Sequence, residues 1–174
     1  MMPERWDVLD KNGIPTGKTV FRGAKTLSKN EYHLVVHIWV VSQSGKILIQ
    51  RRSKHKKLMP GEWAATGGAA VAGEDSFTAA SRELFEELSI KTSPKTLKQM
   101  LRIKRRNSLL DVWFTQFDAD ITSLKLQASE VAEVKWVTLG ELKQMIEKSL
   151  FHNYGHEYFK NVFQKIEEFR GAMV

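Results

Sequence analysis

The apolar positions of this chain fall into two periods. Leu34-Val-Val-His-Ile-Trp-Val-Val41 is a nearly continuous β-branched run, and such a run reads as a largely buried strand. After the turn Ser42–Gly45, Lys46–Arg51 reads as a second strand antiparallel to it. Shorter strands are predicted at Trp6–Leu9 and Gly17–Arg22, joined through Lys11-Asn12-Gly13, where the Asn-Gly pair is a strong turn signal because both residues tolerate positive φ. Glu62–Thr66 reads as a strand running into a tight turn at Gly67-Gly68. Met100–Arg106, Leu109–Asp118 and Val131–Val137 read as three more strands, and Pro94–Leu97 as the start of a short helical turn.

The helical period appears in three places. A helix is predicted from Glu74 to Leu88, with Phe77, Leu84 and Leu88 as its apolar stripe. Thr138, with Glu141 three residues on, is a capping box that opens a second helix. Tyr158–Phe169 carries Phe159, Val162, Phe163, Ile166 and Phe169 on one face. Strands fill the middle of the chain and do not alternate regularly with helices, so the fold class is α+β. No linker, repeat or low-complexity tract divides the 174 residues, which are read as one domain. Within it, residues 1–30 form an N-terminal hairpin extension, 32–145 the core and 154–170 a C-terminal helix.

Composition narrows the chemistry. The chain has no cysteine, which excludes disulfides, thiolate metal sites and cysteine nucleophiles. The opening Met-Met-Pro-Glu-Arg-Trp lacks a signal-peptide core, and no apolar run reaches the length of a membrane span, so a cytoplasmic enzyme with no membrane partner is expected. A formal charge of +7 favours anionic partners: nucleotides, diphosphates or RNA. No basic stripe interleaved with aromatics marks a nucleic-acid groove, so nucleic acid is the less favoured partner.

The helix at 74–88 poses a charge problem. Glu83, Glu86 and Glu87 fall within roughly a 100° arc of its surface, and like charges so placed weaken a helix. A hard cation such as Mg²⁺, which prefers oxygen ligands and also holds water and phosphate, would relieve the repulsion. Arg82 stands beside the glutamates and can fix a rotamer by pairing with one. The glycines at 67 and 68 let the backbone approach the same cleft. A solvated acidic face is the alternative for the triplet taken by itself.

The surrounding spacing decides between them. From Gly68 to Ile90 the chain reads Gly, five residues, Glu74, seven residues, Arg82-Glu83, an aliphatic residue, any residue, Glu86-Glu87 and, two positions after Glu87, Ser89-Ile90. This resembles the signature of the Nudix superfamily, with the resemblance covering roughly residues 32–145. It implies an α/β/α sandwich with a mixed central sheet and a Mg²⁺- or Mn²⁺-dependent hydrolase of diphosphate linkages in nucleotides or related compounds. By the same resemblance Glu83, Glu86 and Glu87 bind the metal with the Gly68 carbonyl assisting, Arg82 orients them, and Glu74 supports the turn. The base that activates water is not fixed in this family; Glu130 is the first candidate and Glu133 the second. Ser89 departs from the pattern, which has glycine there to end the helix with positive φ; serine takes that conformation at a cost of about 1 kcal/mol.

Residues 32–63 are also similar to isopentenyl-diphosphate isomerases, which share the fold. Those enzymes carry a cysteine where this chain has Gly67 and a metal-binding histidine where it has Ala69, so the scaffold stands here without that chemistry. His33 and His37 share one face of a strand and read as hydrogen-bonded, partly buried residues, with a metal pair as the alternative. Asp111 lies about where the isomerases carry an acidic residue and is a weak site candidate. Arg51, Arg52 and Lys57 are candidates to hold a phosphate, and Trp63 to stack on a base. Isomerisation, and a catalytically silent RNA- or nucleotide-binding module, are the rival functions.

Overall fold

A computed structural model describes residues 4–23, 27–118 and 120–172, so the opening Met-Met-Pro lies outside the described residues. Among the described residues nine strands and three helices follow one another as β1 (Arg5–Leu9), β2 (Pro15–Phe21), β3 (His33–Val41), β4 (Ile47–Arg52), β5 (Trp63–Ala64), β6 (Thr66–Ala69), α1 (Ser76–Leu88), β7 (Lys98–Lys104), β8 (Ser108–Gln116), β9 (Val131–Val137), α2 (Leu139–Glu147) and α3 (His156–Gly171). β1 and β2 form a separate antiparallel ribbon, and the other seven strands form one mixed sheet ordered β5-β4-β3-β8-β7, with β6 added to β3 and β9 to β4. β3 and β8 run parallel from His33↔Ser108 to Val41↔Gln116, whereas β3 pairs antiparallel with both β4 and β6. The α+β class and the three-layer sandwich expected from the sequence are what the chain adopts.

Alternation along the central strands sorts the two layers. Leu34, Val36, Ile38 and Val40 face α1 and pack with Ala79, Ala80, Leu84 and Leu88. Val35, Trp39 and Val41 face the other way, onto Leu142 of α2 and Tyr158, Phe159, Val162 and Ile166 of α3. β3 buries both faces, which is why its sequence is continuously apolar.

Several local expectations are corrected. Gly67 and Gly68 lie within β6, paired with His37 and Val36, and neither has positive φ. Their smallness serves close approach: a Cβ at Gly67 would stand 2.2 Å from the Val36 carbonyl oxygen, and one at Gly68 2.3 Å from Glu83 Oε1. In the first ribbon only Gly13 of the Asn-Gly pair takes positive φ, in a connection that is tied by Asp10 Oδ1 accepting from the Asn12 and Ile14 amides at 2.8 and 2.9 Å. α1 starts at Ser76, with Asp75 capping Thr78 N at 2.7 Å, so Glu74 precedes it. Pro94–Leu97 closes a single turn through the Leu97 amide and the Ser93 carbonyl, and a 3-10 turn at Ile121–Ser123 had no signal in the apolar pattern.

Ser89 does take the left-handed conformation, at φ 57° and ψ 25°. Its amide donates to the Phe85 carbonyl at 2.8 Å, and its hydroxyl donates to the Lys125 carbonyl at 2.9 Å. The second bond ties the end of α1 to the segment before β9, a link no glycine side chain can make, and it offsets part of the strain. The capping box of α2 is present in both directions. No helix among the described residues is long and apolar enough to cross a membrane.

His33 and His37 share the α3 face of β3, and both are hydrogen-bonded. His33 Nδ1 lies 2.9 Å from the Asn107 carbonyl oxygen and its ring stacks on Trp6. His37 Nδ1 lies 2.8 Å from the Tyr158 hydroxyl, which also accepts from Trp39 Nε1 at 3.1 Å. The indole can only donate. The Tyr158 hydroxyl then has its own hydrogen to give, and His37 Nδ1 receives it, leaving the imidazole neutral with its proton on Nε2. Burial, with Arg105 and His152 nearby, pushes His37 down to about 3 from 6.5. Between those values the unfolded chain binds a proton that the folded chain refuses, so stability rises with pH through this window and is lost as pH falls. Urea unfolding of the wild type and His37→Gln from pH 7 to pH 4 checks this. The wild type is expected to lose stability more steeply on acidification, by up to about 1.4 kcal/mol per pH unit.

Candidate functional site

The candidate site is built where β6 passes under the C-terminal half of α1. Arg82 is its organiser. Its Nε and Nη2 reach Glu74 Oε1 and Oε2 at 2.6 and 2.9 Å, a bidentate pair, while Nη1 reaches Glu83 Oε1 at 2.9 Å and Glu86 Oε2 at 3.1 Å. Nη2 also donates to the Ala69 carbonyl at 3.3 Å, fastening α1 to β6. Glu74 in turn accepts from the Val71 amide at 3.0 Å, so the turn before the helix and the arginine are locked together. These bonds hold Arg82 well above its ordinary range, with the Glu74 hydrogen bonds as the largest cause.

The three glutamates sit in different surroundings. Glu86 is exposed. Glu83 is largely covered, and burial raises it against the opposing pull of Arg82. Glu87 is 3% exposed, and burial drives it up to about 8, despite the bond from Gln50 Nε2 at 2.8 Å and with Glu83 and Glu130 adding like charge. A carboxylate so placed is expensive to ionise unless a cation joins it. Thr66 Oγ1 donates to Gln50 Oε1 at 3.2 Å, fixing which way the amide points, so Gln50 offers its N–H to Glu87.

Alternation divides the other candidates. Gln50 and Arg52 of β4 lie on the α1 face, with Val134 and Val131 as their partners in β9. Arg52 is close enough to act on Glu87, and its Nε donates to the Leu58 carbonyl at 3.1 Å. Glu130, just before β9, also acts on Glu87; Lys56 pairs with it, and its carbonyl accepts from the Ser53 amide at 2.8 Å. Arg51, Glu133 and Trp63 point to the opposite face. Arg51 is held by the Gly61 carbonyl at 3.0 Å and by Glu133 at 3.5 Å, and Lys135 covers the Trp63 ring at 4.4 Å. Lys57 is exposed on the loop between β4 and β5.

Asp111 is not in this cluster. It pairs across the sheet with Val36, on the α1 face, whereas His33 and His37 lie on the α3 face. It is fully buried and takes a bidentate bond from Arg102, at 2.6 and 2.7 Å. The sequence reading missed Gln50, and it took Lys56 as one of the basic residues able to clamp a phosphate rather than as the partner of Glu130. Gln50 is a polar residue ending the buried stretch Ile47-Leu-Ile, and that break in the apolar pattern was its signal. Lys56 stood in the basic loop with nothing to set it apart from its neighbours.

The donor set fits a hard divalent ion. Every candidate ligand is an oxygen, and the Gly68 backbone lies against Glu83 where no side chain can intervene. With Glu83 and Glu86 turned to Arg82 and Glu87 to Gln50, no three acidic or imidazole groups converge among the described residues.

Comparison with known proteins gives the family. The NUDIX domain model matches residues 31–157. An uncharacterized Nudix hydrolase of Listeria monocytogenes is 37% identical over 152 residues, covering 87% of this chain and 89% of that protein. An isopentenyl-diphosphate Delta-isomerase of Streptomyces griseus is 28% identical over 153 residues, covering 83% and 76%. The crystal structure of the Deinococcus radiodurans protein DR0079 superimposes with a TM-score of 0.72 at 22% identity, covering 86% of this chain and 93% of that one, which shows a shared fold. With the glutamate helix in place on that fold, the chain belongs to the Nudix family and is an enzyme of the pyrophosphohydrolase type.

Proposed function

We propose that this enzyme hydrolyses the diphosphate linkage of a nucleoside diphosphate or a nucleoside diphosphate-linked compound, with Mg²⁺ or Mn²⁺ held by Glu83, Glu86, Glu87 and the Gly68 carbonyl. The observation that carries the reading is the buried carboxylate of Glu87 beside Glu83 and under the influence of Glu130, an arrangement that gains most from a bound cation. When bound, the divalent ion draws charge off the phosphate oxygens and makes a coordinated water more acidic. The protein's own groups do the rest. Gln50 aims Glu87, and Arg82, itself clamped by Glu74, holds Glu83 and releases Glu86. Glu130 is the base that takes the proton of the attacking water, steadied by Lys56. Arg52, on the α1 side near Glu87, holds the phosphates with Lys57 of the adjoining loop, while Arg51 and Trp63, which point to the opposite face and are engaged by Gly61, Glu133 and Lys135, are left out of this assignment.

The isomerase alternative is disfavoured by two observations. A side chain at position 67 would collide with the Val36 carbonyl oxygen, so this backbone has no room for the isomerase cysteine. Asp111, about where the isomerases carry an acidic residue, spends both carboxylate oxygens on Arg102 and lies outside the glutamate cluster.

A panel of nucleoside diphosphates and diphosphate-linked nucleotides, assayed for phosphate or mononucleotide release with Mg²⁺ and with Mn²⁺, tests the reaction. Metal-dependent release from at least one member is expected. No turnover on any of them, together with tight RNA binding, would remove the enzymatic reading of the site.

Glu86→Gln and Glu87→Gln are expected to lower kcat at least about a hundredfold, beyond the loss typical of groups that only support a ligand, with circular dichroism unchanged. Wild-type rates in both would overturn the ligand assignment.

Glu130→Gln is expected to lower kcat by about a hundredfold or more, as for loss of a general base, and Glu133→Gln to leave it near the wild-type value. The reverse order would move the base to Glu133.

A further inference from the structure

On the α1 face of the sheet, beyond the N-terminal end of α1, the β1–β2 ribbon roofs a recess of about 550 Å³, within the range of small-molecule sites. The ribbon is pinned through β1. Leu9 and Tyr32 exchange backbone hydrogen bonds at 2.7 and 2.9 Å, the Ala72 amide donates to the Arg5 carbonyl at 2.8 Å, and the Gly73 amide donates to Asp7 Oδ2 at 2.7 Å. All of these ties are made by β1, which they fix at both ends.

Two cross-strand pairs form the floor: Gln99 opposite Trp113, and Arg102 opposite Asp111. Asp111 spends both carboxylate oxygens on Arg102 Nε and Nη2. The remaining nitrogen, Nη1, lies against Gly13, where a Cβ would stand 2.6 Å away. Arg102 Nη1 and the Gln99 amide make no hydrogen bond among the described residues; both side chains are exposed, so water serves these donors until a ligand replaces it. The recess thus presents a guanidinium edge and a carboxamide side by side, framed by Leu9, Leu34, Phe77 and Trp113.

The charge balance selects the ligand. Asp111 already neutralises Arg102, and Asp7, Glu74 and Asp75 also line the recess, so it holds no surplus positive charge for a phosphate. An N–H edge that is electrically matched but unpartnered suits a neutral carbonyl, and apolar walls suit a flat ring. We propose that this recess is a binding site for a carbonyl-bearing nucleobase or nucleoside, separate from the glutamate cluster, with Arg102 and Gln99 reading the edge of the ring. Glu74 lines the recess and also clamps Arg82, so an occupant would touch the group that positions the catalytic glutamates. The binding claim stands independently of the hydrolysis reading.

Isothermal titration of the full chain with uridine, guanosine and their 5′-monophosphates, without metal, tests it. The nucleosides are expected to bind, and the monophosphates to bind about tenfold more weakly because of the acidic lining. Arg102→Lys keeps the charge opposite Asp111 but loses the fork, and Gln99→Leu removes the amide from an exposed position; each is expected to weaken nucleoside binding about tenfold. Glu86→Gln is expected to leave it unchanged. Should Arg102→Lys fail to fold, Gln99→Leu and the nucleoside-to-monophosphate comparison still decide. Absence of nucleoside binding, tighter binding of the monophosphates, full binding by Gln99→Leu, or loss of binding in Glu86→Gln would each overturn the proposal.

Discussion

Repulsion among Glu83, Glu86 and Glu87 sets the terms for everything around the C-terminal half of α1. Within the protein it is countered chiefly by Arg82, which spreads its five N–H donors over Glu74, Glu83, Glu86 and the Ala69 carbonyl, with Arg52 acting on Glu87 from farther off. That solution is incomplete. Glu87 lies beyond reach of the guanidinium and has a neutral amide, Gln50, as its partner. A hydrogen bond from a neutral donor does not balance a buried negative charge, so the cluster is stable as a protein surface only at a standing electrostatic cost. The fold accepts that cost at one place and spends several devices on keeping it there: Gly68 to admit Glu83, Gln50 and Thr66 to aim Glu87, and Ser89 with Lys125 to anchor the helix end next to them.

The central sheet keeps two kinds of polar chemistry apart. On its α1 side lie the glutamates, Arg52, Glu130 and, farther along, the Arg102–Asp111 pair. On its α3 side lie His33, His37 and the tyrosines of the last turn before and into α3, where Tyr154 and Tyr158 are both raised by burial. One residue of shift along β3 or β8 would exchange the faces. The parallel register of β3 with β8, continuous over nine pairs, is what prevents it. The consequence is functional: Asp111 and the two histidines of β3 cannot meet in space.

Much of this was legible in the chain. The continuous apolar run of β3 announced a strand buried on both faces, and the fixed spacings from Gly68 to Ile90 announced the glutamate helix and its arginine. The face on which each candidate falls was less legible. Arg51 and Arg52 are adjacent and chemically alike, yet alternation and a bulge in the β4–β9 pairing send only Arg52 toward Glu87. The double glycine was legible in part: the close backbone approach expected of it is present, but the tight turn expected there is a strand, because glycine signals both positive φ and lack of a side chain. Gln50, Lys56 and the recess under the β1–β2 ribbon depend on contacts between residues far apart in sequence, which no local pattern carries.

The central claim, that the buried glutamate cluster is built for a divalent cation, is tested most directly by thermal unfolding at pH 8 of the wild type and Glu87→Gln, each with and without Mg²⁺. Without metal, Glu87→Gln is expected to melt above the wild type, because the amide keeps the Gln50 hydrogen bond and removes the buried charge. Saturating Mg²⁺, at about a hundred times its Kd, is expected to stabilise the wild type by about 2.7 kcal/mol and to move the variant little, reversing the order. Mg²⁺ that leaves the wild-type Tm unchanged, or a metal-free variant that melts below the wild type, would contradict the account.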